Sequence, residues 1–198
     1  MRFLNIIWNY NYYMYNRYRT EKSMNITLEE KQRLEDLYQT LLHDEKVQNM
    51  KNIPMHRGSN CYYHSFKVAK RARKRALKHR QNLDLNVVLF GAILHDYYLY
   101  DWRTDKTKKK HHGSQHPYIA ASQAKRDFNI SPEVEKIIKS HMWPLNIKEY
   151  PNSREAKVLS YADKTVAIEE AITSKRYKKK REQKYINHIS FLFDETKK

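Results

Sequence analysis

Leu85-Asn86-Val87-Val88-Leu89-Phe90-Gly91-Ala92-Ile93-Leu94-His95-Asp96 is the stretch on which the reading of this chain turns. Residues 85–97 form the most apolar run in the sequence. A helix that is apolar most of the way round is buried. This one ends on two ionisable side chains, and burying such groups without partners is costly. A metal ion would supply the missing partner, because imidazole and carboxylate together hold transition metals and leave positions open for water.

Working outward, further histidines and an aspartate fall in or at the ends of segments that read as helices. His64 shares a face with Val68, Ala72 and Ala76 in a helix over 61–80, four residues apart each time. Lys67, Lys70, Arg71, Arg73, Lys74 and Arg75 crowd the rest of that helix. Ser131 as N-cap and Pro132 at the first position start another helix, whose inner face carries Val134, Ile137, Ile138 and His141. Pro144 stops it. A helix over 153–174 turns Ala156, Leu159, Ala162 or Asp163, and Val166 inward. His116 precedes Pro117, which suits the first turn of a helix over 117–128. Residues 101–115, with Lys106, Lys108, Lys109, Lys110, His111 and His112, read as a basic loop. A leucine-patterned helix over 27–48 opens the bundle, with Thr27 as N-cap and Glu30 completing a capping box.

The spacing predicts an all-α, single-domain helical bundle. Three glycines and five prolines in 198 residues favour long helices over many short strands. Met24 is a plausible natural start, which leaves residues 1–23 as an N-terminal extension, flexible or not native. Residues 24–172 form the helical domain. Residues 173–198 form a basic tail, in which Phe191-Leu192-Phe193 could fold back onto the bundle.

No segment reaches the roughly 18 apolar residues of a membrane span, and the N-terminal region lacks a secretory pattern. The single cysteine, Cys61, excludes an intramolecular disulfide and fits a reducing cytoplasm. It reads as a small, partly buried residue rather than a reactive thiol. The net charge of +17, from 39 Lys+Arg against 22 Asp+Glu, attracts phosphates, nucleic acid or an anionic surface without choosing among them.

His95 and Asp96 are adjacent, so they lie roughly 100° apart if both are helical, yet both can turn to one centre at a helix end. The helix C-terminus carries partial negative charge, which favours a cation at His95-Asp96 and at His141. A carboxylate between histidine-rich positions can bridge two metals about 3.5–4 Å apart. Each residue also has a plainer role open to it: a core histidine for His64, a helix-entry cap for His116, half of a salt bridge for Asp163.

The ordered set His64, then the doublet in Leu94-His95-Asp96, then Asp163 in Tyr161-Ala162-Asp163-Lys164, resembles the HD superfamily of metal-dependent phosphohydrolases. The resemblance spans roughly residues 60–170. His116-Pro117 and Ser140-His141 look like the two further histidines of its dinuclear members, and His112-Gly113 is an alternative to His116. His116 is favoured because the start of a helix is more fixed than a lysine-rich loop.

The resemblance implies a helical bundle of the HD type. It implies one or two divalent transition-metal ions, with iron or manganese favoured and zinc or nickel also fitting. His64, His95, Asp96 and Asp163 would hold the first; His116 and His141, with Asp96 bridging, the second. Asp96 is then the catalytic residue, and a metal-bound hydroxide would attack phosphorus. Lys164 and Arg103, or the 106–110 cluster, are candidates for binding the phosphate. The implied partner is a small phosphorylated substrate, a nucleotide above all. Tyr97, Tyr98, Trp102 and Trp143 are candidates for the walls of its pocket.

The chain departs from the family's cyclic-dinucleotide phosphodiesterases. It has Tyr97-Tyr98 where they continue the doublet with glycine and lysine, and it lacks their Gly-Tyr-Pro motif. It is also shorter than the usual deoxynucleotide triphosphohydrolases. The alternative reading is a basic nucleic-acid-binding protein with a structural or vestigial metal site, using the 67–75 helix face, the lysine loop and the 175–184 run.

Overall fold

A computed structural model describes residues 28–55, 59–78, 83–104 and 106–172. Thr27, the 1–23 extension and the 173–198 tail, with Phe191-Leu192-Phe193, lie outside the described residues. The described residues are all-α. Seven α-helices run in the order α1 (Leu28–His43), α2 (Glu45–Asn49), α3 (Cys61–Lys78), α4 (Leu85–Leu94), α5 (Lys106–Phe128), α6 (Pro132–Ser140) and α7 (Arg154–Ile172), with a 3-10 turn at Met50–Asn52. No helix among them is long and apolar enough to cross a membrane.

The apolar helix α4 is the centre of the bundle. Asp84 caps it, accepting from the amides of Asn86 at 2.9 Å and Val87 at 3.2 Å. Every residue from Val88 to Leu94 is buried. Helices α3, α6 and α7 surround it. The face of α3 carrying His64, Val68, Ala72 and Ala76 is buried, as the four-residue spacing predicts.

Gly91 permits the close crossing of α4 and α6. A Cβ at this position would overlap the Ile137 side chain, with Cγ1 at only 2.8 Å. Alanine would gain up to about 1 kcal/mol of helix propensity. Overpacking a close-packed core costs about 1–3 kcal/mol. Gly91→Ala is therefore expected to lower stability by about 1 kcal/mol or more, read by urea denaturation. Trimming the neighbour, as in Gly91→Ala/Ile137→Val, should recover part of the loss. A single variant as stable as wild type would contradict this packing.

The structure corrects three expected boundaries. The helix over 27–48 is broken, because the Asp44 carboxylate accepts from the amides of Lys46 at 2.8 Å and Val47 at 3.4 Å and starts α2. Aspartate competes with the helix ladder in this way and favours caps. The apolar helix ends at Leu94 rather than at 97, with His95 as C-cap.

The third correction is the largest. Residues 106–115 are not a loop but the first half of α5, and Pro117 lies inside that helix. Proline removes one ladder bond and crowds the preceding turn. Here Asn146 Nδ2 donates to the Ser114 carbonyl at 3.0 Å, giving a carbonyl of that turn a partner. His112, Ala120, Ala124 and Phe128 continue a four-residue spacing through His116, and all of these but the half-buried His112 are buried.

The basic face of α3 is partly consumed within the fold. Lys67 pairs with Glu170 at 2.7 Å and Arg71 with Glu169 at 2.6 Å, while the Arg75 guanidinium lies 3.8 Å from the centre of the Tyr161 ring. These contacts tie α3 to α7. They leave the nucleic-acid-binding alternative with less of the helix face it relied on.

Candidate metal centre

The last four carbonyls of a helix have no partner within the ladder. A histidine at the C-cap can satisfy one of them with its Nδ1–H and so turn Nε2 away from the helix. His95, closing α4, donates from Nδ1 to Ala92 O at 2.8 Å. His141, closing α6, does the same to Ile138 O at 2.7 Å. His116, within α5, bonds His112 O at 2.9 Å. His64, on α3, gives Nδ1 to the Glu170 carboxylate at 3.0 Å. With Nδ1 engaged as a donor, neutral imidazole carries its lone pair on Nε2.

All four Nε2 atoms converge on Asp96 and Asp163. Asp96 Oδ2 lies 3.4 Å from His95 Nε2 and 3.8 Å from His64 Nε2. Asp96 Oδ1 lies 3.3 Å from His116 Nε2 and 3.9 Å from His141 Nε2. The two oxygens of one carboxylate thus face two different pairs of histidines. Asp163, from the middle of α7, brings Oδ1 to 3.1 Å from His64 Nε2 and 3.6 Å from His95 Nε2. All six residues are buried.

The donor set fits a cation on three observations. His95 Nε2 is buried and makes no hydrogen bond, although carboxylate oxygens are close by. His116 Nε2 and His141 Nε2 face each other at 3.0 Å, each with its other nitrogen donating to a carbonyl. Two lone pairs in that position need a proton or a metal between them. Finally, three triads each bring one donor atom per residue within 4.8 Å of one another: His64/His95/Asp96, His95/His141/Asp163 and Asp96/His116/His141. Imidazole with carboxylate is a ligand set of divalent transition metals.

Electrostatics agree. Burial would raise the Asp96 carboxyl, but His95, His116 and His64 outweigh it and hold it well below the usual carboxylate range. Asp163 is held down in the same way against burial by His64 and His95. Burial, with His116 and His95 adding to it, pushes His141 down to about 3, so it presents a neutral imidazole. Burial would also lower His64, but hydrogen bonds to Asp163 and Glu170 lift it to about 10.

His64, Asp96, His116, His141 and Asp163 line a cavity of about 600 Å³, and His95 lies outside its lining. Trp102, Met142, Trp143, Pro144 and Leu145 give it an apolar wall, with Met55, His112 and Lys164 also lining it. Lys164 is next to Asp163, and its ammonium donates to His141 O at 3.2 Å and to Ser160 Oγ. Burial lowers its pKa while Asp163 opposes that shift.

Not every expected residue comes to this cavity. Arg103 is not among its lining residues: its guanidinium is half-exposed and held by Asp101, with Nε–Oδ1 at 3.2 Å. Lys109 and Lys110 are exposed on α5. Trp102 and Trp143 line the cavity, but Tyr97 and Tyr98 do not. Tyr97 donates to Asp127 at 3.0 Å and Tyr98 to Met55 Sδ at 3.2 Å. Cys61 is buried against the Tyr98 hydroxyl at 3.1 Å, and burial followed by the nearby Asp96 charge pushes its thiol up, so it is no reactive thiolate.

His112 and His116 sit one turn apart on the same helix, so a contrast between helix and loop does not separate them. Their surroundings do. His116 Nε2 enters the cluster, whereas the His112 ring is stacked between Trp102 (5.0 Å) and His116 (4.6 Å), with Nδ1 bonded to the Tyr100 hydroxyl at 3.1 Å. The residue missed by sequence reasoning is Glu170, buried behind His64. Its signal was its place seven residues after Asp163, two turns along the same face of α7.

Fold and cluster together define an all-α protein with a buried His/Asp cluster that could hold a metal ion. The family model for the HD domain matches residues 61–168, more than half of the chain, and the chain belongs to that family. HD domains are in general metal-dependent phosphohydrolases. No curated protein and no solved structure gives a significant match.

Proposed function

We propose that this chain hydrolyses a phosphoester or phosphoanhydride of a nucleotide or a related small phosphorylated metabolite. The observation that carries the reading is Asp96, which lines an open cavity and whose two oxygens face separate histidine pairs. In this reading His64, His95, Asp96 and Asp163 would hold one divalent ion, and His116 and His141, with Asp96, would hold a second. Iron or manganese suits this set best, with zinc or nickel also compatible. When bound, such ions lower the pKa of a coordinated water and neutralise charge on phosphoryl oxygens.

The protein's own part is positional. The Nδ1 bonds to Ala92, Ile138, His112 and Glu170 fix the four imidazoles before any ion arrives, so little reorganisation is left to the reaction. Lys164 brings an ammonium to the cavity beside Asp163, where it can turn to a phosphoryl oxygen. The wall of Trp102, Trp143 and Met142 takes the apolar part of the substrate, such as a base, and keeps bulk water from it.

The test is phosphate release by the iron- or manganese-loaded protein from a panel of nucleoside mono-, di- and triphosphates and simple phosphomonoesters. Metal-dependent turnover of at least one nucleotide supports the reading. No turnover of any member by a metal-replete protein counts against it. On the active substrate, Lys164→Met is expected to lower kcat/KM about 10–100-fold, the value of a hydrogen bond to a charged group. Metal content should not change. An unaltered kcat/KM would remove Lys164 from the site.

A further inference from the structure

We infer that Glu170 is a positioning residue of the metal centre, aiming His64 at the first ion from behind. This rests on the reading of the six-residue cluster as a metal centre. Glu170 is 2% exposed, which for a carboxylate demands partners on both oxygens. Oε2 accepts from His64 Nδ1 at 3.0 Å. Oε1 accepts from Lys67 Nζ at 2.7 Å and Ser59 Oγ at 3.3 Å. The carboxylate is therefore fixed from one side by the segment leading into α3 and by α3 itself, and its free edge is spent on a single ring nitrogen.

That ring is the one member of the four whose anchor is not a backbone carbonyl. His95, His116 and His141 lean on carbonyls of their own helices, within the last turn in two cases. His64 sits in the first turn of α3, the end of a helix whose orphan backbone groups are N–H donors rather than carbonyls. Glu170 fills that gap from α7, the helix that also carries Asp163. One helix thus supplies both a carboxylate for the ion and the carboxylate that orients a histidine toward it. A charged anchor does more than hold the ring in place. It makes the imidazole a stronger donor to a cation, and loss of such an anchor typically weakens metal affinity about 10–100-fold. Lys67 and Ser59 keep the anchor itself from rotating.

The experiment is a Mn²⁺ titration of the full chain, with free ion followed by electron paramagnetic resonance, for wild type, Glu170→Gln and Glu170→Ala. Thermal melts in chelator are recorded alongside. Wild type should bind Mn²⁺, Glu170→Ala should bind the ion held by His64 about 10–100-fold more weakly, and Glu170→Gln, which keeps an acceptor oxygen, should lose less, about three- to tenfold. Should the alanine variant not fold, the near-isosteric glutamine variant decides. Melting temperatures that fall in chelator while Mn²⁺ affinity stays within twofold of wild type would make Glu170 a structural ion-pair member and overturn the inference. Failure of the wild type itself to bind Mn²⁺ would overturn the metal reading, and the inference with it, so the two failures are told apart by the wild-type curve.

Discussion

Asp96→Ala is expected to abolish both metal retention and turnover while leaving the helical fold in place. Asp96 brings its oxygens within 4 Å of all four histidines, at 3.4 and 3.8 Å on one oxygen and 3.3 and 3.9 Å on the other. Removing it takes one of three donors from two of the three triads. It also removes one of the two carboxylates that offset the charge of a bound dication. The third triad, His95/His141/Asp163, keeps its donors but lacks a bridging ligand. Metal chemistry contributes several kcal/mol to reactions of this class, and each 1.4 kcal/mol is about tenfold in rate. Turnover should fall by at least about a thousandfold. Elemental analysis and phosphate release on the same preparation check this, with circular dichroism confirming helicity. Full activity in a folded Asp96→Ala protein would sink the scheme.

His141→Ala is expected to separate the two proposed ions. His141 faces His116 across 3.0 Å and Asp96 Oδ1 across 3.9 Å, and its donor atom also lies within 4.8 Å of those of His95 and Asp163. Its loss leaves His64, His95, Asp96 and Asp163 intact for the first ion and only His116 and one carboxylate oxygen for the second. A retained stoichiometry of about one ion per chain, against about two in wild type, is the expected result for a dinuclear centre. Activity should drop roughly 100-fold or more if both ions act on the phosphoryl group. His64→Ala should behave differently, weakening the first ion. Equal metal loss in the two variants would contradict the assignment of histidines to separate ions.

Much of this was legible in the sequence because it rests on local physics. The run from Leu85 to Leu94 is too apolar to lie anywhere but at the centre, and His95 and Asp96 follow it directly. The four-residue spacing of His64, Val68, Ala72 and Ala76 placed His64 on the buried face of α3. Ser131 and Pro132 marked the start of α6, and so put His141 at its end. What was not legible depended on long-range contacts. The first half of α5 reads as a basic loop, since Gly113 and Pro117 are breakers in isolation. The bond from Asn146 to the Ser114 carbonyl, 32 residues away, is invisible to a local reading. Asp44 has the chemistry of a cap, yet it sits inside a leucine-patterned stretch that continues past it. Arg103 looked available for phosphate because its pairing with Asp101 depends on a turn geometry that composition does not specify. Glu170 was passed over because a glutamate late in a charged helix ordinarily faces solvent. Only the packing of α7 on α3 buries it.

The most direct test of the account is the metal content of the chain after anaerobic reconstitution with iron or manganese and removal of loose ions. Wild type should retain between one and two ions per chain, and Asp96→Ala close to none. No retained ion in a folded wild-type protein would contradict the central claim. The buried histidines and aspartates would then be a structural cluster, and the basic nucleic-acid-binding alternative would take its place.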